Sequence, residues 1–251
     1  MAADHFSRQA AEYAKFRPDY PEALFDWLAG HVPAHELAWD VGCGNGQASV
    51  PLASRFARVV ATDRSLAQID QASRHRNIEY HTAPCENSGL MEATCDIVTV
   101  GQAIHWFNFD NFYTEVRRVL KPGALLAAWT YTLLRGEPAI NAVIERFYVD
   151  VLGPWWPPER RWVEAGYVGM PFPFEKLTTP EFEIRRQWTL NDLTNYIGTW
   201  SAVERCRENT GSDPTLELFD RLRPHWGSSP DTLREIIWPI AMVAGCKESA
   251  Q

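Results

Sequence analysis

Asp40-Val-Gly-Cys-Gly-Asn-Gly46 is the stretch on which the fold turns. Its three glycines follow a short apolar run, Leu37-Ala-Trp-Asp-Val41, and precede a helical pattern with Val50, Ala53 and Phe56 at three-residue spacing. Strand, glycine turn and helix in that order bring bare main chain and the free N–H groups of a helix N-terminus to one place. The partial positive charge of that helix end favours electron-rich ligand groups. Spacing then sorts the ligands. A dinucleotide loop of the form G-x-G-x-x-G/A would end on Gln47 or Ser49, and neither residue fits. A P-loop needs Gly-Lys-Ser/Thr, yet no lysine lies between Lys15 and Lys121. Pyrophosphate and triphosphate ligands both lose ground.

Outward from this loop, strand-like and helix-like segments alternate. Arg58-Val-Val-Ala-Thr62 reads as a second strand, and Ser65-x-x-Gln68 as a capping box opening a helix with Leu66, Ile69 and Ala72 on one face. Residues 78–83 read as a third strand and 96–100 as a fourth. Phe109, Phe112, Val116 and Val119 mark a helix that Lys121-Pro-Gly123 should stop, before a fifth strand at 124–129. Apolar runs without alternation imply strands covered on both faces, so the expected fold is α/β, a doubly wound parallel sheet. After Tyr131 the pattern changes. Residues 138–152 read as a helix, 153–158 as an irregular Pro- and Trp-rich segment, 182–188 as a strand and 236–246 as a final strand. Further helices are expected near 191–201 and 215–226. The chain reads as one unit, 1–251, with an N-terminal lid (1–35), a core (36–131), a cap insertion (132–180) and a remainder (181–251).

The net charge is −8, shared almost evenly either side of Thr130. That balance opposes attraction to nucleic acid or anionic lipid. Five scattered cysteines without a C-x-x-C suggest free thiols, and the N-terminus carries charges where a signal peptide needs an apolar run. The longest apolar run, Ile236 to Cys246, is too short to cross a bilayer, so a cytoplasmic protein without membrane contact is expected. His31 and His35 have metal-helix spacing, but Pro33 stands between them and no cysteine pair accompanies them, so no metal is expected. No G-x-S-x-G elbow of a serine hydrolase occurs.

The D-x-G-x-G-x-G pattern, with Asp63 at the end of the next strand, resembles the class I S-adenosylmethionine-dependent methyltransferases. Other segments are similar to the trans-aconitate methyltransferase-like group: Phe6-x6-Tyr13-x3-Arg17-Pro-x-Tyr20-Pro21, Gln102-Ala-Ile-His-Trp-Phe107, Leu120-Lys-Pro-Gly123, Thr199-Trp-Ser-Ala202 and Trp238-Pro-Ile-x4-Gly245. The resemblance implies a seven-stranded, mostly parallel, Rossmann-like sheet with a C-terminal helical cap, and S-adenosyl-L-methionine as cofactor. It implies that Asp40, Gly42, Gly44 and Gly46 form the loop under the methionine and ribose, and that Asp63 accepts from the ribose hydroxyls. It sets Arg64 beside the adenine, Cys85 and Glu86 at its edge, Gln102 near the methionine, and the segment from Tyr13 to Arg17 across the pocket as a lid. One departure is clear. The family often has Asp-Ala where this chain has Pro84-Cys85, which leaves the adenine amino group without its usual carboxylate unless Glu86 supplies one.

The Arg17 guanidinium suits the carboxylate of either the methionine or an acceptor, or it pins a turn. His105 and Trp106 follow the fourth strand, at the end where open α/β sheets bind ligands. His105 is the candidate catalytic base should the acceptor need one. Trp200 and Ser201 either contact the acceptor or pack. Seven of the eleven tryptophans follow residue 150, which suits an aromatic pocket or simple core packing. The implied function is methyl transfer to a small-molecule acceptor, O-directed on a carboxylate or hydroxyl. A non-catalytic cofactor-binding protein acting through a partner is the alternative, and the glycine spacing disfavours a nicotinamide oxidoreductase. The oligomeric state stays open.

Overall fold

The computed structural model describes residues 17–248. Seven strands form one sheet in the order β3-β2-β1-β4-β5-β7-β6. They are β1 (Leu37–Val41), β2 (Arg58–Asp63), β3 (Ile78–Thr82), β4 (Cys95–Gly101), β5 (Leu120–Tyr131), β6 (Phe182–Trp188) and β7 (Arg234–Cys246). The first five pair in parallel, and β7 runs antiparallel between β5 and β6. The doubly wound, mostly parallel expectation therefore holds, with β7 as the antiparallel element.

Nine α-helices connect these strands among the described residues: α1 (Glu22–Ala29), α2 (Ser49–Ala53), α3 (Leu66–Asp70), α4 (Phe109–Val119), α5 (Pro138–Arg146), α6 (Arg160–Glu164), α7 (Leu190–Gly198), α8 (Ser201–Thr210) and α9 (Pro214–Leu222). All five residues of β1 are buried, which is why its sequence shows no alternation. On one face of the sheet Leu24, Phe25, Leu52 and Phe56 pack with Ile197, Leu218 and Trp226. On the other, Phe112, Val116 and Val119 of α4 pack with Val163 and Tyr167.

Several local expectations needed correction. Helix α2 ends at Ala53, so Phe56 packs from beyond it. Ser65 takes the N-cap conformation of α3, but its side chain makes no capping hydrogen bond to the helix. The capping box of this chain is elsewhere, in the reciprocal bonds of Thr189 and Asp192 at α7. Lys121-Pro-Gly123 does end α4, but it lies inside β5 rather than before it, because the ladder bulges between Cys95↔Leu120 and Ile97↔Leu125. Buried Asp96 holds that region together. It accepts from the Glu36 and Leu37 N–H groups at 2.8 and 3.0 Å and pairs with Lys121 at 2.7 Å. The helix expected over 191–201 is two helices, broken at Thr199-Trp200.

Strand order positions the site. The chain leaves β1 toward β2 and β3, then returns on the other side of β1 as β4. Such a reversal opens a crevice at the carboxyl ends of the two central strands. The glycine turn follows β1 and Gln102 follows β4, so both belong to its rim.

Candidate active site

The glycine turn is shaped by sterics. Gly42 has φ 65°, and a Cβ placed there would lie 2.6 Å from the Ala103 Cβ. Only a residue without a side chain lets the β1 and β4 loops approach this closely. Gly44 and Gly46 also have positive φ, so the whole turn presents main chain. Its anchor is Asp63, whose carboxylate accepts from the Gly44 N–H at 2.9 Å and the Ser65 N–H at 2.8 Å. Burial pushes the Asp63 carboxyl up, against the opposing pull of those two N–H groups. An ionised carboxylate has about four lone-pair sites, so acceptor capacity remains for a diol.

Asp40 plays a different part. It is fully buried, and its two oxygens accept from the hydroxyls of Ser49 (2.6 Å) and Thr99 (2.9 Å). It braces the turn from beneath and does not face the crevice. Burial pushes its carboxyl up to about 6.

Arg64 and Glu86 are exposed beyond the turn, with Cys85 half-buried between them. The Cys85 thiol donates to Glu86 at 3.1 Å, and burial followed by this carboxylate pushes the thiol up to about 12. Tyr13 lies outside the described residues. Arg17 is within them, and Gln47 of the loop leading into α2 donates to the Arg17 carbonyl at 3.2 Å, tying that segment over the glycine turn.

Past Gln102 the crevice widens into a cavity of about 60 Å³. Gln102, His105, Trp106, Trp200 and Ser201 all line it, together with Arg17. Gln102 sits at φ 58°, a strained conformation for a side chain of its size. Thr130 donates to its Oε1 at 2.8 Å, which turns the amide nitrogen away, and that buried nitrogen has no partner among the described residues. His105 is 8% exposed in the 3-10 turn Ile104–Trp106, with Nδ1 3.2 Å from the Tyr167 hydroxyl. Burial, then the charge of Arg160, pushes its pKa down to about 3.

Sequence reasoning missed Tyr131, Trp156, Arg160 and Tyr196, which complete the lining with Thr132 and Leu133. Arg160 stacks on Trp156 (4.6 Å) and Tyr148 (5.4 Å), and its Nε donates to the Tyr148 hydroxyl at 2.7 Å. Tyr148 donates onward to Glu164 at 2.6 Å. The two terminal nitrogens of Arg160 make no hydrogen bond or ion pair with the described residues. The Arg17 guanidinium lies 5.8 Å from the Tyr131 ring and 5.4 Å from the Tyr196 ring. Two guanidiniums line the cavity and, among the described residues, no carboxylate does. The Trp-Trp-Pro-Pro-Glu-Arg run was the one available signal for Arg160. His31 and His35 do not line this cavity, and each sets one ring nitrogen against a main-chain carbonyl.

The donor set fits a nucleoside carrying an amino acid. A partly satisfied carboxylate stands beside bare main chain, an unpartnered amide donor follows, and no lysine supports a phosphate. This defines an enzyme of the class I S-adenosylmethionine-dependent type. Residues 39–128 match the methyltransferase domain family. The chain is 30% identical over 251 residues to a provisionally named methyltransferase of Dictyostelium discoideum, an alignment covering 98% of this chain and 95% of that one. A solved structure from Anaeromyxobacter dehalogenans, provisionally named a type II methyltransferase, superposes with a TM-score of 0.87 at 47% identity, covering 94% of this chain and 100% of that one. The phosphoethanolamine N-methyltransferase 2 of Haemonchus contortus, solved with phosphomonomethylethanolamine and S-adenosylhomocysteine, shares the fold (TM-score 0.52, 16% identity, covering 99% of this chain and 60% of that one). The chain belongs to the methyltransferase family, and its cofactor is S-adenosyl-L-methionine. No helix among the described residues is long and apolar enough to cross a membrane.

Proposed function

We propose that the protein transfers a methyl group to a small anionic acceptor, on a carboxylate or hydroxyl oxygen, as a cytoplasmic enzyme of the trans-aconitate methyltransferase-like group. One observation carries this reading. The cavity is lined by two guanidiniums and no described carboxylate, within a chain of net charge −8. A local field opposite to that of the whole molecule selects for negative charge. Guanidinium stacked on aromatic rings is held in place for planar, bidentate recognition of a carboxylate.

When bound, the cofactor supplies an already activated methyl group for in-line displacement. The chain's own residues have positioning and water exclusion to provide. In this reading the glycine turn and Asp63 hold the nucleoside, Gln102 directs its amide N–H groups toward the methionine, and Arg160 and Arg17 fix the acceptor. A pKa near 3 leaves His105 neutral at pH 7 and a weak base, so it orients the acceptor by hydrogen bonding rather than taking its proton. Trp106, Trp156 and Trp200 keep the space dry.

Methyl transfer from labelled cofactor across a panel of small carboxylic acids, phenols and amines tests the assignment. Turnover is expected for acids and not for neutral amines. Arg160→Gln is expected to raise KM for an anionic acceptor about ten- to hundredfold, the scale of one charged hydrogen bond, and to leave adenosylhomocysteine affinity unchanged. Turnover confined to amines would refute it.

A further inference from the structure

Arg160 and Glu164 stand four residues apart on α6, the spacing at which an arginine and a glutamate can meet across one helical turn. Glu217 and Arg221 of α9 pair in that way at 2.6 Å. Arg160 and Glu164 do not. The Tyr148 hydroxyl stands between them, accepting from Arg160 Nε at 2.7 Å and donating to Glu164 Oε1 at 2.6 Å. Tyr148 comes from a π-helix, Phe147–Val151, that continues α5, and the Leu152 N–H closes it on the Phe147 carbonyl at 3.0 Å. So wide a turn is rare and occurs frequently at functional sites. The Tyr148 ring is 9% exposed and packs on Trp156 and Trp200, while the Trp156 indole N–H donates to the Tyr148 carbonyl at 3.2 Å.

The direction of both bonds is forced. A guanidinium N–H only donates, so the Tyr148 oxygen accepts from Arg160 and its one proton goes to the Glu164 carboxylate. A guanidinium carries five N–H donors in a planar fork. Tyr148 occupies the Nε donor, and with it the side-on edge of the fork. The four N–H groups on Nη1 and Nη2 make no hydrogen bond with the described residues, and Arg160 lines the cavity. A carboxylate of the chain bonded directly to those nitrogens would occupy the donors and offset the charge. Set one phenol away, Glu164 steadies the tyrosine and leaves the outer edge of the arginine open.

We infer that Tyr148 is a positioning residue, a spacer that keeps Glu164 off Arg160 and presents the Nη1–Nη2 edge to a carboxylate of the acceptor. The inference rests on the anionic acceptor proposed above and narrows it. The charged group is planar and is gripped end-on by two parallel N–H···O bonds. Trp156, with its ring 4.6 Å from the guanidinium, fixes the plane of the fork.

Crystal structures of the wild type and of Tyr148→Phe read the spacer directly and need no acceptor. The wild type is expected to keep the hydroxyl between the two side chains, and in Tyr148→Phe the guanidinium is expected to close onto Glu164 as a direct ion pair. Kinetics then uses the carboxylic acid turned over fastest in the panel above. Tyr148→Phe is expected to raise its KM about tenfold, with kcat and adenosylhomocysteine affinity retained. Adding Glu164→Gln to Tyr148→Phe removes the competing carboxylate and should return KM to within about threefold of the wild type, a rescue that a packing role for the ring would not give. Tyr148→Met fills the space without a hydroxyl and should give the same rise should Tyr148→Phe not fold. A wild-type crystal with Arg160 bonded directly to Glu164 overturns the inference, as does an unchanged KM in the single variants or a double variant no better than the single. Turnover confined to amines would instead fail the acceptor reading beneath it, and is told apart because the crystal geometry of Arg160 would stand.

Discussion

The two walls of the crevice are built by different means. The cofactor wall is short-range and made largely of main chain: the turn after β1 and a carboxylate at the end of β2, nineteen residues apart in the Gly44–Asp63 bond. The wall proposed for the acceptor is made of side chains gathered from the β4 loop, the end of β5, the start of α6 with the segment before it, and the α7–α8 junction. Aliphatic strands support the first wall. Aromatic rings support the second, with Trp200 touching both Trp156 and Tyr196, and Trp238 packed against Tyr196. A backbone cradle recognises what all ligands of one kind share, whereas a side-chain wall can be changed residue by residue. In the reading proposed above, the molecule thus separates a fixed donor site from an adjustable acceptor site.

The largest effect that would sharpen this contrast is in the aromatic support. Trp238 is fully buried, with ring centroids 4.7 Å from Trp188 and 5.4 Å from Tyr196. Trp238→Ala is expected to cost about 3–5 kcal/mol in chemical denaturation, the range for a large buried aromatic. The folded fraction should keep its cofactor affinity while acceptor KM rises. Equal loss at both sites would mean that the walls are not separable.

The pH dependence of folding comes next, because the two walls hold buried groups of opposite habit. Asp40 titrates at about 6 in the fold against 3.8 for the ordinary side chain. A raised acid stabilises the fold in its protonated form, so that contribution is complete below about pH 4 and lost as pH rises through 6. It amounts to about 3 kcal/mol at 1.36 kcal/mol for each pH unit. His105 works the other way. Its folded value of about 3 lies below the ordinary 6.5, so its contribution is present above pH 6.5 and lost as pH falls. Denaturation of wild type, Asp40→Asn and His105→Gln between pH 4 and 8 checks both signs. Relative to the first variant the wild type should weaken with rising pH, and relative to the second it should weaken with falling pH. Parallel profiles would remove the distinction.

The smallest of these effects is on binding alone. Asp63→Ala is expected to weaken adenosylhomocysteine by about ten- to hundredfold in calorimetry, one charged hydrogen bond, without altering acceptor KM. An unchanged Kd would separate the β2 carboxylate from the cofactor.

The same contrast explains what could be read from the chain alone. Strands β1, β2, β4 and most of β5 are buried, largely aliphatic runs, and sequence placed them within a few residues because burial on both faces leaves no other pattern, whereas β3, at the sheet edge, buries only Ile78 and gave a weaker signal. The glycine turn was legible because three closely spaced glycines have a backbone meaning. Lys121-Pro-Gly123 misled because a bulge lets strand β5 begin inside a turn signal. Ser65 misled because a capping sequence does not oblige the side chain to cap. Arg160 and Tyr167 were silent, since what matters is what they meet in the fold, Tyr148 for the first and His105, sixty-two residues away, for the second. Asp40 was found for its place in the motif, but its two hydroxyl partners give it a bracing role that the motif does not convey.

One topological detail has a temporal side. Strand β6 lies at the sheet edge, and among the described residues its one neighbouring strand is β7, which is made forty-six residues later, after three helices. During synthesis the five parallel strands can assemble while β6 and the helices behind it still lack a strand to rest on. Ordering of the β6 side must wait for Arg234–Cys246 to emerge and slot between its neighbours, so the glycine-turn side of the crevice precedes the aromatic wall opposite.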